Sequence, residues 1–456
     1  MTVTQKTMIR DLTTGSVAKK LLLFSLPLML SQLLQTCYGI VDMIVVGRYV
    51  GKVGLSAVSV GGDLLNMFTM ACIGFGSAGQ VIISQFVGRK DAESLSKTIG
   101  TFSSFLLLLA FVFMLIGLYF TDELLGLLHV PREAFAQARS YSVICFAGMV
   151  FIFGYNIVSA ILRGMGDSKT PLVFITIATV LNVGLDLVFI AAAGMDAKGA
   201  ALATVIGQGV SFVGAVAYLY KRREAFGFDF KPRSFLMDAK LLKVILSLGL
   251  PMVMQTCAAG VSDMIVHSFV NAYGVTASAV TGVGTKLNSV MRIVTTALHI
   301  AGATMIGQNY AAGEKERVAR TVNMILLIAL SAGALMSGLM LLFPQQVFSF
   351  FSSDPEVLAM ADEYAPIAAV SFMGYASRSA FIGLINGLGF AALSFTIGLI
   401  DATVARIGLA LLLGSVFGLG VFGYWLGGVL GGFTCTIIGG VYYISGKWKK
   451  RGLIVN

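Results

Sequence analysis

Two long runs of this chain hold no charged side chain. Residues 98–121 read SSFLLLLAFVFMLIGLYF at their centre, and residues 407–445 are equally free of charge. Such runs must leave water, and a spanning helix needs about 20 apolar residues. The rest of the chain does not compensate. Only 12% of its 456 residues are charged, and its mean hydropathy is +0.88, whereas soluble domains carry roughly 25% charged residues. A water-facing surface of this size cannot be covered with so few charges, but a lipid-facing one needs none. The expected class is therefore an all-α integral membrane protein.

Twelve spans are predicted: 17–47, 53–84, 98–120, 139–162, 170–192, 198–220, 242–270, 276–307, 319–343, 364–386, 391–414 and 419–445. The connections are short except for residues 221–241, KRREAFGFDFKPRSFLMDAKL, which are expected to link an N-terminal six-helix lobe (1–220) to a C-terminal one (242–456). If the N-terminus is cytoplasmic, 23 of the 32 Lys and Arg residues, Lys6 among them, fall on the cytoplasmic side, five fall outside and four lie within spans. This bias predicts cytoplasmic termini in a cell membrane. It also accounts for the net charge of +10 without nucleic acid. The polar N-terminus lacks a cleavable signal pattern, so the first span is expected to stay in the membrane.

The halves resemble each other at an offset near 223 residues. Gly51 matches Gly274, Gln85 matches Gln308, Thr98 matches Thr321 and Tyr141 matches Tyr364. Gly164 and Gly166 match Gly387 and Gly389. QTCYGIVDMIV (35–45) echoes QTCAAGVSDMIV (255–266), each downstream of a proline, Pro27 or Pro251. An even number of spans per half makes this a parallel, pseudo-symmetric repeat of two six-helix bundles.

Motifs of ATP binding (GxxxxGK[ST]), zinc proteolysis (HExxH) and acyl transfer (GxSxG) are missing from the sequence, as is an Asp-rich prenyl-transfer motif. The five cysteines form no CxxC pair and the three histidines are scattered, which points away from metal. No enzyme and no cofactor is expected. Transport would draw on an ion gradient, and a channel or receptor is the rival class.

An acid at membrane depth is costly and by default functional. Asp42, Asp63, Asp186, Asp263 and Asp401 qualify, together with the bases Lys286, Arg292, Arg378 and Arg406. Asn182 and Asp186 lie one helical turn apart and share a face. With Asp42 on the first span and Thr204 on the sixth, they offer two carboxylates, an amide oxygen and a hydroxyl to one point. Oxygen ligands suit Na⁺, and a buried carboxyl beside a like charge suits a proton, so H⁺ and Na⁺ both stay open. In the second half, Asp263 is expected to pair with Lys286 or Arg292, and Asp401 with Arg406 or Arg378. Gln35, Tyr38 and Asn156 are candidates to line a substrate cavity.

SLPLMLSQLLQTCYGIVDMIVVGRYVG (25–51), ILRGMGDSKTPL (161–172), LNVGLDLVFI (181–190) and GAALATVIGQ (199–208) resemble the multidrug and toxic compound extrusion (MATE) transporters. ARIGLALLL (405–413) resembles that family's Arg-x-Pro-Leu segment, with Gly408 replacing the proline. The resemblance implies two six-helix bundles around a central cavity, exporting cationic or amphipathic small molecules against Na⁺ or H⁺, with a monomer able to suffice. Within the prokaryotic branch related to DNA-damage-inducible protein F, it assigns the cation site to Asp42, Asn182, Asp186 and Thr204. A lipid-linked oligosaccharide flippase, which would use a basic cavity, is the alternative within the same superfamily.

Overall fold

The computed structural model describes residues 8–454, so Lys6 lies outside the described residues. Among them there are helices and no strands. Twelve spans follow in order: α1 (Val17–Tyr49), α2 (Lys52–Arg89), α3 (Ala92–Tyr119), α4 (Arg132–Ala147 with Met149–Gly164), α5 (Lys169–Ala192), α6 (Asp196–Lys221), α7 (Ala239–Asn271), α8 (Val275–Ala311), α9 (Lys315–Leu342), α10 (Pro355–Gly387), α11 (Ala391–Val416) and α12 (Gly420–Ile444). Each is long and apolar enough to cross a bilayer once α4 is counted as one bent span. Large apolar side chains such as Val180, Met264 and Leu335 face outward from these helices, as lipid contact permits.

The fold repeats in detail. α2 and α8 each follow a glycine with positive φ, Gly51 at 83° and Gly274 at 102°. Short helices, Thr121–Leu127 and Pro344–Ser349, follow α3 and α9 at equivalent points. Close approaches recur as well. A Cβ on Gly164 would come within 2.8 Å of the Gln80 carbonyl oxygen, and one on Gly387 within 2.8 Å of that of Ala303. Gly61 lies under the Tyr141 ring as Gly284 lies under Tyr364. Small residues let spans meet backbone to backbone where lipid provides no hydrophobic push.

Three features lie beyond the expected pattern. α4 bends by 51° at Gly148, where a Cβ would run into Val205 of α6. α5 ends in a π-helical turn, Leu187–Ala192, and α11 contains two, Asp401–Ile407 and Leu412–Val416. Residues 221–241 are folded onto α3. Ser104 donates to the Phe235 carbonyl at 2.6 Å, Asp238 N–H donates to Thr101 at 3.0 Å, and Phe228 packs its ring on Phe230 and Phe235.

The chain divides into two compact units. The first holds the described residues up to Asp11 and Leu26–Gly249; the second holds Leu12–Ser25 and the described residues from Leu250 onward. In α1 and α7 the division falls just before Pro27 and Pro251, where a missing N–H breaks the helical hydrogen-bond ladder. The first unit's core includes Phe68, set edge-on against Phe113 and Phe146 at 5.2 Å each. The second unit ties down its own N-terminal piece. Leu12 N–H donates to Gln308 at 3.0 Å, while Arg317 donates to the carbonyls of Leu12, Thr14 and Gly15.

Candidate functional site

The first unit draws α1, α5 and α6 together around four buried polar residues. Asp186 has no exposed surface and Asp42 is 6% exposed; Asn182 and Thr204 are buried with them. Local sequence sets this up. Gly166 turns the chain at φ 85°, and the Asp167 carboxylate takes the N–H groups of Lys169 and Thr170, starting α5. The Tyr155 hydroxyl then donates to the Pro171 carbonyl at 3.0 Å and holds the first turn against α4. Farther along, Gly207 lets α6 close on α5, for a Cβ there would sit 3.0 Å from the Ala178 carbonyl oxygen. That approach puts the Asn182 amide nitrogen 3.3 Å from the Thr204 hydroxyl, to which it donates.

Tyr38, one turn before Asp42, lies beside Thr204 and near both Asp42 and Asp186. The two carboxylates also feel each other. One oxygen of Asp42, both of Asp186 and the amide oxygen of Asn182 find no hydrogen-bond partner among the described residues. Unsatisfied buried oxygens are uncommon in folded proteins and call for an explanation. A small cavity adjoins Asn182, lined also by Tyr38 and Thr204. Its wall adds Thr179 and Gln208, whose side-chain oxygens are also unpartnered. The sequence carried a signal for both: Thr179 precedes Asn182 by three residues and Gln208 follows Thr204 by four, so each shares a helix face with a recognised member.

The remaining candidates fall elsewhere. Gln35 and Asn156 are half-buried and outside this cavity's lining, and Asn156 donates to the Ile152 carbonyl of its own helix. Asp63 is exposed. In the second unit, Asp401 is 1% exposed and is shared by Arg378 at 2.8 Å and Arg406 at 3.4 Å. Asp263 pairs with Arg406 rather than with Lys286 or Arg292, both of which are exposed. Asp263, on α7, faces α11 in this pairing, whereas Lys286 and Arg292 belong to α8.

Comparison with known proteins rests on this frame. The MatE family model matches the chain twice, over residues 27–188 and 251–412. The chain belongs to the MatE family. The two matches are offset by 224 residues at both ends (27 to 251, 188 to 412), so the family model sees the same repeat as the paired glycines. This MatE protein is 30% identical over 441 residues to the "Probable multidrug resistance protein YoeA" of Bacillus subtilis, covering 96% of this chain and 95% of the relative. It is 24% identical to the "Probable multidrug resistance protein NorM" of Thermotoga maritima, covering 96% and 94%. A solved structure of a mutant of the Vibrio cholerae MATE transporter VcmN superposes with a TM-score of 0.89 at 20% identity, covering 98% of this chain and 100% of that one. Its fold has two lobes of six spans, and this MatE protein is a multi-pass membrane protein of that architecture.

Proposed function

We propose that this MatE protein is a multidrug efflux antiporter, exporting cationic or amphipathic small molecules in exchange for H⁺ or Na⁺ through Asp42, Asn182, Asp186 and Thr204. The observation that carries this reading is the set of unpartnered oxygens on Asp42, Asn182 and Asp186, buried together without a base. Two ionised carboxylates held so would each cost several kcal/mol in lost solvation. A proton or a dehydrated Na⁺ relieves that cost. Binding therefore changes the relative free energy of any two arrangements of α1, α5 and α6 that differ in how they expose the pair. A ligand shifts such an equilibrium only by its differential affinity for the two states, and this site can supply one. Substrate competing for the same lobe would then discharge the ion. The match to the branch related to DNA-damage-inducible protein F rests on the same four residues.

The reading carries corollaries: a cell-membrane location, cytoplasmic termini from the Lys and Arg bias, the division into lobes at residues 221–241, and function as a monomer. The flippase alternative is not favoured, since the relatives bear multidrug-resistance names. The test is drug efflux from proteoliposomes under a Na⁺ gradient alone and a pH gradient alone. One of the two should drive uphill export by the native chain, and Asp42→Asn should lose at least tenfold in coupled rate at normal expression. Full coupled export by the variant would remove Asp42 from the mechanism, and export indifferent to either gradient would remove the antiport reading.

A further inference from the structure

A cavity of the second unit has a different character from the proposed cation site. It opens between α7, α8, α10, α11 and α12 and offers a volume of about 130 Å³. Its charged lining consists of Asp263, Arg292, Arg378 and Arg406, with His267 beside them. Asp401, behind the wall, neutralises part of this, being shared by Arg378 and Arg406. Asp263 is engaged by Arg406 and its side chain is half exposed. Three guanidiniums therefore stand against two carboxylates. Arg292 is the one left over: its hydrogen bond is to the Ser289 hydroxyl at 3.1 Å, and among the described residues no carboxylate pairs with it. Arg406 adds an unused donor, for its Nε is buried with no acceptor.

The neutral lining completes a site. Tyr364 and Trp425 pack edge-on at 5.0 Å. The Trp425 N–H is already satisfied by the Thr281 hydroxyl at 2.8 Å, so what that residue offers a ligand is its ring. Asn288 and Ser371, also in the lining, hydrogen-bond to each other at 2.9 Å. A guanidinium is a planar fork matched to a carboxylate. In surroundings poorer in water than bulk, its charge acts at a lower effective dielectric. We propose that this cavity is a binding site for the carboxylate of an aromatic amphipathic molecule, with Arg292 as the charge-selecting residue and Tyr364 and Trp425 as the aromatic wall. Transported compounds would then include organic anions and zwitterions beside cations, a refinement that rests on the efflux reading only for the direction of movement.

The test is an equilibrium binding measurement on the purified full chain. Trp425 and Trp448 are the two tryptophans, so Trp448→Phe leaves Trp425 as the single donor for energy transfer to pyrene. Two probes of matched shape, 1-pyrenebutyrate and (1-pyrenebutyl)trimethylammonium, differ in head-group charge. The carboxylate probe is expected to quench Trp425 with at least tenfold tighter affinity than the ammonium probe. Arg292→Gln should erase most of that difference, and Arg292→Lys should keep most of it. Because Arg292 is exposed, neither substitution threatens the fold. Equal affinity for the two probes, preference for the ammonium, or an unchanged ratio in Arg292→Gln would overturn the assignment. The result is separable from ion coupling. An Asp42→Asn protein that still exchanges ions counts against the cation site alone, and a lost charge preference in the native cavity counts against this site alone.

Discussion

Asp401 and Arg406 are five residues apart, a spacing that in an α-helix turns two side chains away from each other. They meet because Asp401–Ile407 is π-helical, and in that winding the fifth residue returns to the same side. The sequence showed both charges and named Arg406 and Arg378 as partners of Asp401, but nothing in the residue types announces a π-turn. Hence the assignment of Asp263 to Lys286 or Arg292 missed Arg406. Burial now ranks the two acids. Asp401→Asn leaves Arg378 without its carboxylate and Arg406 with Asp263 alone, and breaking a buried pair costs about 3–5 kcal/mol. Asp263→Asn removes a carboxylate whose side chain is half exposed, and such a pair contributes about 0–1 kcal/mol. Equilibrium unfolding in micelles should separate the variants in that order; equal losses would contradict the burial argument. At the proposed cation site, Thr204→Val removes the acceptor used by Asn182 while keeping the shape, so under the antiport proposal it should lower coupled transport while Thr204→Ser retains it, as read in the proteoliposome assay.

At the scale of the helix, the spans were legible because charge-free length leaves few alternatives. Their ends and bends were less so. The break in α4 depends on Gly148 facing Val205, a contact between residues 57 positions apart in sequence that no local window contains. Helix starts also differ between the halves. Asp91 caps α3 through the Ser94 N–H at 3.0 Å, whereas Glu314 at the equivalent point of α9 makes no such bond. Asp91→Ala should therefore cost about 0.5–2 kcal/mol and Glu314→Ala almost nothing. The hydrogen bonds from Ser94 hold the Asp91 carboxyl below its ordinary range. A depressed carboxylate contributes its stability above the unfolded-state pKa, near 3.9, and loses it as pH falls through the lower folded value. The gap between native and Asp91→Ala unfolding curves should thus be constant at neutral pH and close only in strong acid. Close packing makes a second demand on helices. Gly61→Leu and Gly284→Leu should each destabilise by about 1–3 kcal/mol through overpacking against Tyr141 and Tyr364, which thermal unfolding would register in both repeats alike.

Across the whole molecule, the repeat was readable as an offset between glycines, prolines and tyrosines; of these, Gly164 and Gly387 meet another backbone, Tyr141 and Tyr364 cover a glycine, and Gly51 and Gly274 supply a positive φ. Divergence between the halves was readable as well, in the distribution of acids and bases, although which charges touch was not. What no linear reading reveals is that Leu12–Ser25 belongs with residues from Leu250 onward. The partners of that short piece, Gln308 and Arg317, lie about 300 positions away; the separation from Leu12 to Gln308 is 296 residues. Ribosomes add roughly 5–20 residues per second, so a nascent chain waits roughly 15–60 s after making Leu12 before Gln308 exists. During that interval the peptide bonds near Lys19 and Lys20 lack their final lodging. Stalled chains ending before Gln308 should be clipped there by trypsin added to the membrane face that carries Lys19 and Lys20, and chains released past Arg317 should resist. Leu12–Ser25, made long before residues from Leu250 onward, is thus among the last segments to find its place.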